Sequence, residues 1–345
     1  MNLIKYIVKR ILISIPVLFG VIIIIFVLSR LIPGDPVVAY LNSIGIYPGA
    51  ENYYQIYGQL ERELWLDRPI FLQFIKYILD LFSGNWGYSV STNVGENVWT
   101  LIMQRLPRTI DIALFSILIS IFVGVKLGVI SARKRNKTSD TILRGLALIG
   151  VSIPVFFLGN LLQYFLSLEL GWFPATGFKD RGFPDPQFIT GFRIIDTLFS
   201  GEYYLLGDYL YHLILPVFCL SFVSLGTITR QSRSSMLEVL EQDYVRTARA
   251  KGVDEKDVYR QHALKNSLLP TTTVIGLNLA SILSGAVLTE VTFDINGIGK
   301  LLIDSLLAYD FWVINALIFV ITVIYLSISL AIDIGYSILD PRIRY

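Results

Sequence analysis

The stretch 238–270, EVLEQDYVRTARAKGVDEKDVYRQHALKNSLLP, decides how the rest of the chain is read. It is crowded with charge, with Arg246, Arg249, Lys251, Lys256, Arg260 and Lys265 among its cations. Apolar segments of membrane-spanning length lie on both sides of it. Residues 241–251 are mostly good helix formers and include the small residues Thr247, Ala248 and Ala250. Gly252 suits a left-handed helix stop. Asp254 then suits an N-cap, with Asp257 three residues on as an acidic variant of the capping box. Val258, His262, Leu264 and Leu268 recur at helical spacing. The expectation is two short helices meeting at a tight turn, a stiff unit able to receive mechanical force from a partner. Small residues let another surface approach the backbone, and Arg246, Arg249 and Lys251 can pair with acids on that surface. Taken alone, the same features also fit a solvated amphipathic loop.

The flanks follow from composition. The chain has 345 residues, 54% hydrophobic and 16% charged, with mean hydropathy +0.60. Soluble domains are usually about 45–50% apolar and about 25% charged. The shift on both counts reads as a polytopic membrane protein. A net charge of +2 implies no nucleic-acid partner. The single cysteine, Cys219, excludes an intrachain disulfide. With two histidines, His212 and His262, and no second cysteine, neither a metal site nor a cofactor is expected.

A helix of about 20 apolar residues crosses a bilayer core of roughly 30 Å. Six segments meet that length: 11–31, 110–132, 141–168, 213–229, 270–288 and 311–339. Lys5, Lys9 and Arg10 before the first resemble the start of a signal peptide. The run 11–28 is longer than a usual signal core, and no small-x-small cleavage site follows, so it is read as a retained transmembrane helix. Pro154 is expected to kink or break the third span near its start.

Loop charge gives orientation, because cytoplasmic loops are enriched in Lys and Arg. The 133–144 loop has Arg133, Lys134, Arg135, Lys137 and Arg144 against Asp140 alone. By contrast, 169–211 sets Lys179, Arg181 and Arg193 against Glu169, Asp180, Asp185, Asp196, Glu202 and Asp208. Segment 289–310 sets Lys300 against Glu290, Asp294, Asp304 and Asp310. The alternation places both termini and the 238–270 loop in the cytoplasm, with the acidic loops outside. The long outer segments 33–97 and 171–211, rich in Pro, Gly and aromatics, are expected as folded caps at the membrane surface. An interfacial aromatic belt explains most of their Tyr and Trp. The expected division is 1–105, the first span plus a long extracytoplasmic segment, and 106–345, a five-helix core. That core includes the inner loop 239–270 and the outer loop 171–211.

Other chemistry is thin. Gly297-Ile298-Gly299-Lys300 looks like part of a phosphate loop, but Asp294 stands where that motif needs Gly and Leu301 where it needs Ser or Thr. Nucleotide binding is not expected at this segment. Lys126 and Asp333, inside spans, read as snorkelling or helix-contact residues, and Asp111 as an outer-interface residue. Asn278, Ser281 and Ser284 fall on roughly one face of the fifth span. With Asn160 and Gln163 they are candidates for a solute path, against interhelical hydrogen bonding as the plainer role. There is no His-Glu-x-x-His and no convincing Ser/His pair for an intramembrane enzyme. A stand-alone secondary transporter would usually show acids or broken helices at mid-membrane, and the fifth and sixth spans show little of that.

Tyr244–Gly252, YVRTARAKG, resembles the EAA loop of the membrane subunits of binding-protein-dependent ABC importers, in the form found in the dipeptide/oligopeptide permease subfamily. In that motif Glu-Ala-Ala is followed by three residues and a Gly. Gly252 matches the Gly and Ala248 the second Ala, while Arg246 replaces the Glu and Thr247 the first Ala. Further stretches resemble the subfamily in the same order along the chain. They include Pro33-Gly34-Asp35-Pro36, Trp86-Gly87-Tyr88-Ser89, Arg105-Leu106-Pro107-Arg108-Thr109, Ser152-Ile153-Pro154 and Leu170-Gly171-Trp172-Phe173-Pro174. Gly297-Ile298-Gly299-Lys300-Leu301-Leu302 and the tail 339–345 complete the series. The resemblance implies an all-α, six-span type I importer fold that pairs with a second permease subunit as a heterodimer. It implies two ATPase subunits gripping the EAA loops, here through Tyr244, Arg246, Thr247, Ala248, Arg249, Ala250 and Gly252, and an external solute-binding protein. It also implies a cell-membrane location and no enzymatic activity in this chain. Peptides are the expected solute, and related systems move nickel or oligosaccharides.

Overall fold

The computed structural model describes residues 3–31 and 35–339. Pro33 and Gly34 of the 33–36 run, and the tail beyond Leu339, lie outside the described residues. In chain order the α-helices are α1 (Leu3–Leu31), α2 (Pro36–Ser43), α3 (Tyr53–Glu63), α4 (Ile70–Ser83), α5 (Val98–Arg133), α6 (Thr138–Ser152) and α7 (Val155–Leu162). Then come α8 (Arg193–Ser200), α9 (Tyr203–Leu240), α10 (Asp243–Ala250), α11 (Glu255–Asp257), α12 (Leu264–Thr292), α13 (Ile298–Leu307) and α14 (Phe311–Leu339). Gln163–Glu169 and Val258–Ala263 are π-helical. The one extended pairing among the described residues is an isolated bridge between Tyr88 and Asn97.

Among the described residues four helices are long and apolar enough to cross a membrane: 7–31 of α1, α5, α9 and 311–335 of α14. α6 and α7 with its π-helical continuation pass the same test as a pair, but they are bent by 106°. The expected third span, 141–168, is therefore not one helix kinked near its start. The ring of Pro154 forces Ile153 out of helical geometry (φ −82°, ψ 125°). The Pro154 carbonyl then accepts the Leu158 amide and begins a new helix at 3.0 Å. The expected fourth span, 213–229, is the middle of the 38-residue α9. The expected fifth, 270–288, lies inside α12, which is not among the four and which Pro270 does not interrupt.

The chain divides into two compact units, each described by itself. The first comprises residues 108–296 with the terminal segments 1–7 and 328–345. α9 is its axis, packed on α6 and α12. Its core includes Ile112, Tyr209, Leu213, Leu220, Ile282 and Phe293. Small residues bring α5 and α9 together. Ser116 donates to the Val217 carbonyl at 3.3 Å and Ser120 to the Ser221 carbonyl at 3.0 Å. A β-carbon on Gly128 would lie 2.5 Å from that of Ser232, so this crossing excludes any larger residue. Asp111, expected at an interface, is buried and accepts from the Tyr209 hydroxyl at 2.8 Å.

The second unit comprises residues 8–107 and 297–327. Its core holds Ile22, Trp86, Leu101, Ile102, Leu301 and Leu317. Asp310 is fully buried, and one of its oxygens collects four donors. These are the Ser89 hydroxyl at 2.6 Å and the amides of Val90, Ser91 and Thr92 at 3.0, 3.1 and 3.2 Å. The loop after Trp86 is thus wound around one carboxylate. Gly87 makes the entry possible: its φ is +76°, and a β-carbon there would lie 2.2 Å from Cδ1 of Trp312. Nearby, Asp35 caps α2 through the Val37 amide at 2.8 Å and accepts from the Tyr57 hydroxyl at 2.6 Å. That bond, with some burial, pushes the Tyr57 phenol up to about 12.

Candidate functional site

The 239–270 loop is a helix, a left-handed turn, and a second helix that does not end. α10 closes with two bonds around Gly252, whose φ is +78°. The Gly252 amide donates to the Arg249 carbonyl at 2.9 Å, and the Val253 amide to the Ala248 carbonyl at 3.2 Å. This is the paired closure of a Schellman motif, with Gly252 at the position that requires positive φ. Asp254 takes the N-cap position of α11 without a side-chain cap bond. Its carbonyl accepts the amides of Asp257 and Val258, both at 2.9 Å. From there the chain continues through the π-helical 258–263 turn straight into α12. The expected second short helix is therefore the extended foot of the membrane-length helix that follows.

The loop has an inward and an outward side. Val245, Ala248, Val258 and Ala263 are buried, and Ala263 clusters with Ala132 of α5 and Met236 of α9. Ala248, expected as part of a small-residue contact surface, faces inward in this chain. Tyr244, Arg246, Thr247, Arg249, Ala250 and Gly252 are exposed. Arg246 lies 3.3 Å from Asp243. Arg249 bridges the Gly252 turn to Glu255 at 2.6 Å, and that bond raises the guanidinium above its ordinary value. Thr247 donates to the Asp243 carbonyl at 2.9 Å, and the Tyr244 hydroxyl accepts from Asn266 at 2.8 Å. Two further contacts tie the loop to the end of α5 and the residues after it. Arg133 lies 5.0 Å over the Tyr259 ring, and Arg135 pairs with Glu241 at 2.8 Å. The outer face keeps the small residues Thr247, Ala250 and Gly252 beside three exposed cations, Arg246, Arg249 and Lys251, of which Arg246 and Arg249 are paired within the loop.

The candidate path residues are not gathered at one point. Asn278 and Ser281 donate to their own helix, to the Val274 and Leu277 carbonyls at 2.8 and 3.2 Å. Asn160 is exposed on α7. Gln163 donates to the Ala175 carbonyl at 2.7 Å and the Thr292 carbonyl at 2.9 Å, pegging the 171–177 segment to the end of α12. The side chain of Ser284 lies outside the described residues.

One constellation near the loop carries no sequence motif. Asp140, the sole acid of the cationic 133–144 stretch, is fully buried in the first turn of α6. Arg233 of α9 grips it bidentately, Nε at 2.7 Å and Nη2 at 2.9 Å. The Ser131 hydroxyl of α5 donates at 2.5 Å and the Asn136 amide at 3.0 Å. A lone acid among five cations was the available signal, but nothing in the sequence says which cation it selects.

Residues 124–345 match the family described as binding-protein-dependent transport system inner membrane component, and residues 3–113 match its N-terminal companion. The chain belongs to this family. Among its relatives, the dipeptide transport system permease protein DppB of Alkalihalophilus pseudofirmus is 38% identical, over 99% of this chain and all of that protein. The di/tripeptide transport system permease protein DppB of Pseudomonas aeruginosa is 39% identical over 99% of each chain. An oligopeptide transport system permease protein, AppB of Bacillus subtilis, is 36% identical over 99% of each. Among solved structures, an inward-facing form of the MetNI methionine ABC transporter matches with a TM-score of 0.54 at 15% identity, over 71% of this chain and 99% of that one. That likeness bears on the fold alone. For an inner membrane component of this family, the exposed apolar flanks of α1 and α14 are surfaces for lipid or other membrane helices.

Proposed function

We propose that this permease forms half of the translocation pathway of an ATP-driven importer for di- or oligopeptides. Full-length similarity to peptide permeases supports the solute class. The observation that carries the coupling role is the 239–270 loop: a Schellman-closed turn whose inner side is buried and whose second helix runs unbroken into α12. A lever of this kind transmits a displacement, where a flexible loop would absorb it. ATPase subunits beneath the membrane take hold of Tyr244, Arg246, Thr247, Arg249, Ala250 and Gly252, with Ala248 supporting α10 from within. A second permease completes six-span halves of the type I arrangement, with both termini and the loop cytoplasmic. An extracytoplasmic binding protein delivers the solute. Asn278, Ser281, Ser284 and Asn160 border the path, and Gln163 positions its outer end.

The chain's one cysteine, Cys219, is buried, so an introduced thiol can be read cleanly. An Ala250→Cys variant in the assembled complex should cross-link through a short thiol reagent to the ATPase and not to the binding protein. A complex that transports normally yet gives no ATPase adduct from this position contradicts the docking.

A further inference from the structure

We infer that the Asp140–Arg233 ion pair is the joint through which the stroke of the 239–270 loop reaches the corner between α5 and α6. The inference rests on the coupling role proposed for that loop. Arg233 lies in α9 about two helical turns before its end at Leu240, where the loop begins. Asp140 binds three parts of the fold at one carboxylate: Arg233 of α9, Ser131 of α5 and the backbone of Asn136 in the intervening turn. Two of those bonds hold the α5–α6 corner closed. The other two fix the corner to α9.

The form of the contact is what suits it to carry force. Apolar attraction between helix faces has no direction of its own, and only the interlocking of side chains limits how far they slip. A guanidinium fork on a carboxylate fixes both distance and angle. Sliding is opposed on either side of the pair as well. Toward the middle of α9, Gly128 admits the Ser232 side chain at a distance only glycine allows. Toward the loop, Ala132, Met236 and Ala263 close an apolar cluster. The other ion pair tying the loop to the end of α5, Arg135 with Glu241, has both side chains more than half exposed. Water competes for such a pair, and it holds little. The Asp140 carboxylate is fully buried while the Arg233 side chain remains 18% exposed. A pair that takes a charge out of water in this way is often no more stabilising than apolar residues of the same size, so fold stability alone does not account for placing one here. Asp140 and Arg233 are positioning residues: they touch no solute and no nucleotide.

The test uses the complete complex in proteoliposomes, with solute uptake and ATP hydrolysis measured on the same sample. Asp140→Asn keeps the shape and removes the charge; Arg233→Lys keeps the charge and removes the fork. Both are expected to assemble and hydrolyse ATP. Uptake per ATP should fall on the order of ten-fold, within the usual range for coupling between linked sites. An unchanged ratio overturns the joint, including when less complex is recovered, because a purely structural role lowers yield and not the ratio. Should Asp140→Asn fail to assemble, Arg233→Lys and the milder Ser131→Ala decide the matter, and wild-type ratios in both overturn the inference. Failure of the loop's coupling role looks different: the Ala250→Cys complex would then transport normally yet give no ATPase adduct.

Discussion

Replacing Gly252 by Asn, Ala and Val separates backbone strain from steric exclusion, because a β-carbon there meets nothing within 4 Å inside the chain. The residue holds φ at +78°, where an L-residue costs about 1–2 kcal/mol, Asn less, and a β-branched residue more. If Val instead drives φ negative, the Gly252–Arg249 and Val253–Ala248 bonds are lost together. Two such bonds are worth about 1–3 kcal/mol net. Either way the turn is weakened by about 1–3 kcal/mol in the Val variant, shifting its equilibrium by roughly 5- to 150-fold. The predicted order of ATP-driven uptake is wild type close to Asn, then Ala, then Val, at equal amounts of membrane-inserted protein. Uptake in proteoliposomes, normalised to complex recovered, reads this out. Wild-type uptake by Gly252→Val refutes the stiff turn. Equal loss in all three variants refutes backbone strain as the cause and points instead to a partner that excludes any side chain at this position.

The outer loop of the second unit should depend on Asp310. Asp310→Ala leaves a hydroxyl and three amides without their acceptor, and the thermal unfolding midpoint in detergent should drop by the equivalent of at least about 3 kcal/mol. Asp310→Asn, which keeps one acceptor oxygen, should lose less. Gly87→Ala must displace the Trp312 ring, and a lowered midpoint with altered tryptophan fluorescence is expected. Asp196 of α8 gives a pH dependence. Burial acts to raise its pKa, but the Thr190 hydroxyl and the amides of Thr190 and Gly191 hold it below the ordinary carboxylate value. A depressed carboxylate contributes stability above its unfolded value and loses it as pH falls through the folded value. Protection of residues 190–200 from amide exchange should therefore weaken at acid pH, and Asp196→Asn should abolish that weakening.

The apolar spans of α1, α5, α9 and α14, the tight turn and its glycine were legible because each is a local pattern: apolar length, small residues, and a C-terminal Gly. What was not legible depended on neighbours far along the chain. The Asp254 cap and the helical spacing of Val258, His262, Leu264 and Leu268 argued for a second short helix. The helix continues because buried Val258 and Ala263 pack on the rest of the loop and on α9, and Pro270 lies within the 29-residue α12 without ending it. Pro154 marked a break in the third span, but not a 106° bend between two packed pieces. In that bend Gly150 meets the Phe222 carbonyl and the Cys219 thiol meets the Val155 carbonyl. Gln163 carried the same composition signal as a path residue, yet both of its hydrogen bonds serve to hold two backbone segments together. Asp140 and Arg233 are 93 positions apart, and Ser89 and Asp310 are 221 apart. No local pattern pairs either set.

The proposed role requires that this chain pass peptides across the membrane only when ATPases work on its 239–270 loop. It is tested by uptake of a radiolabelled dipeptide into proteoliposomes holding the complete complex, with the binding protein in the outer medium, the ATPases facing the lumen, and ATP either enclosed in the vesicles or left out. ATP-dependent accumulation that disappears when the ATPase subunits are omitted is the predicted result. Accumulation at the same rate without ATPases or ATP would contradict it.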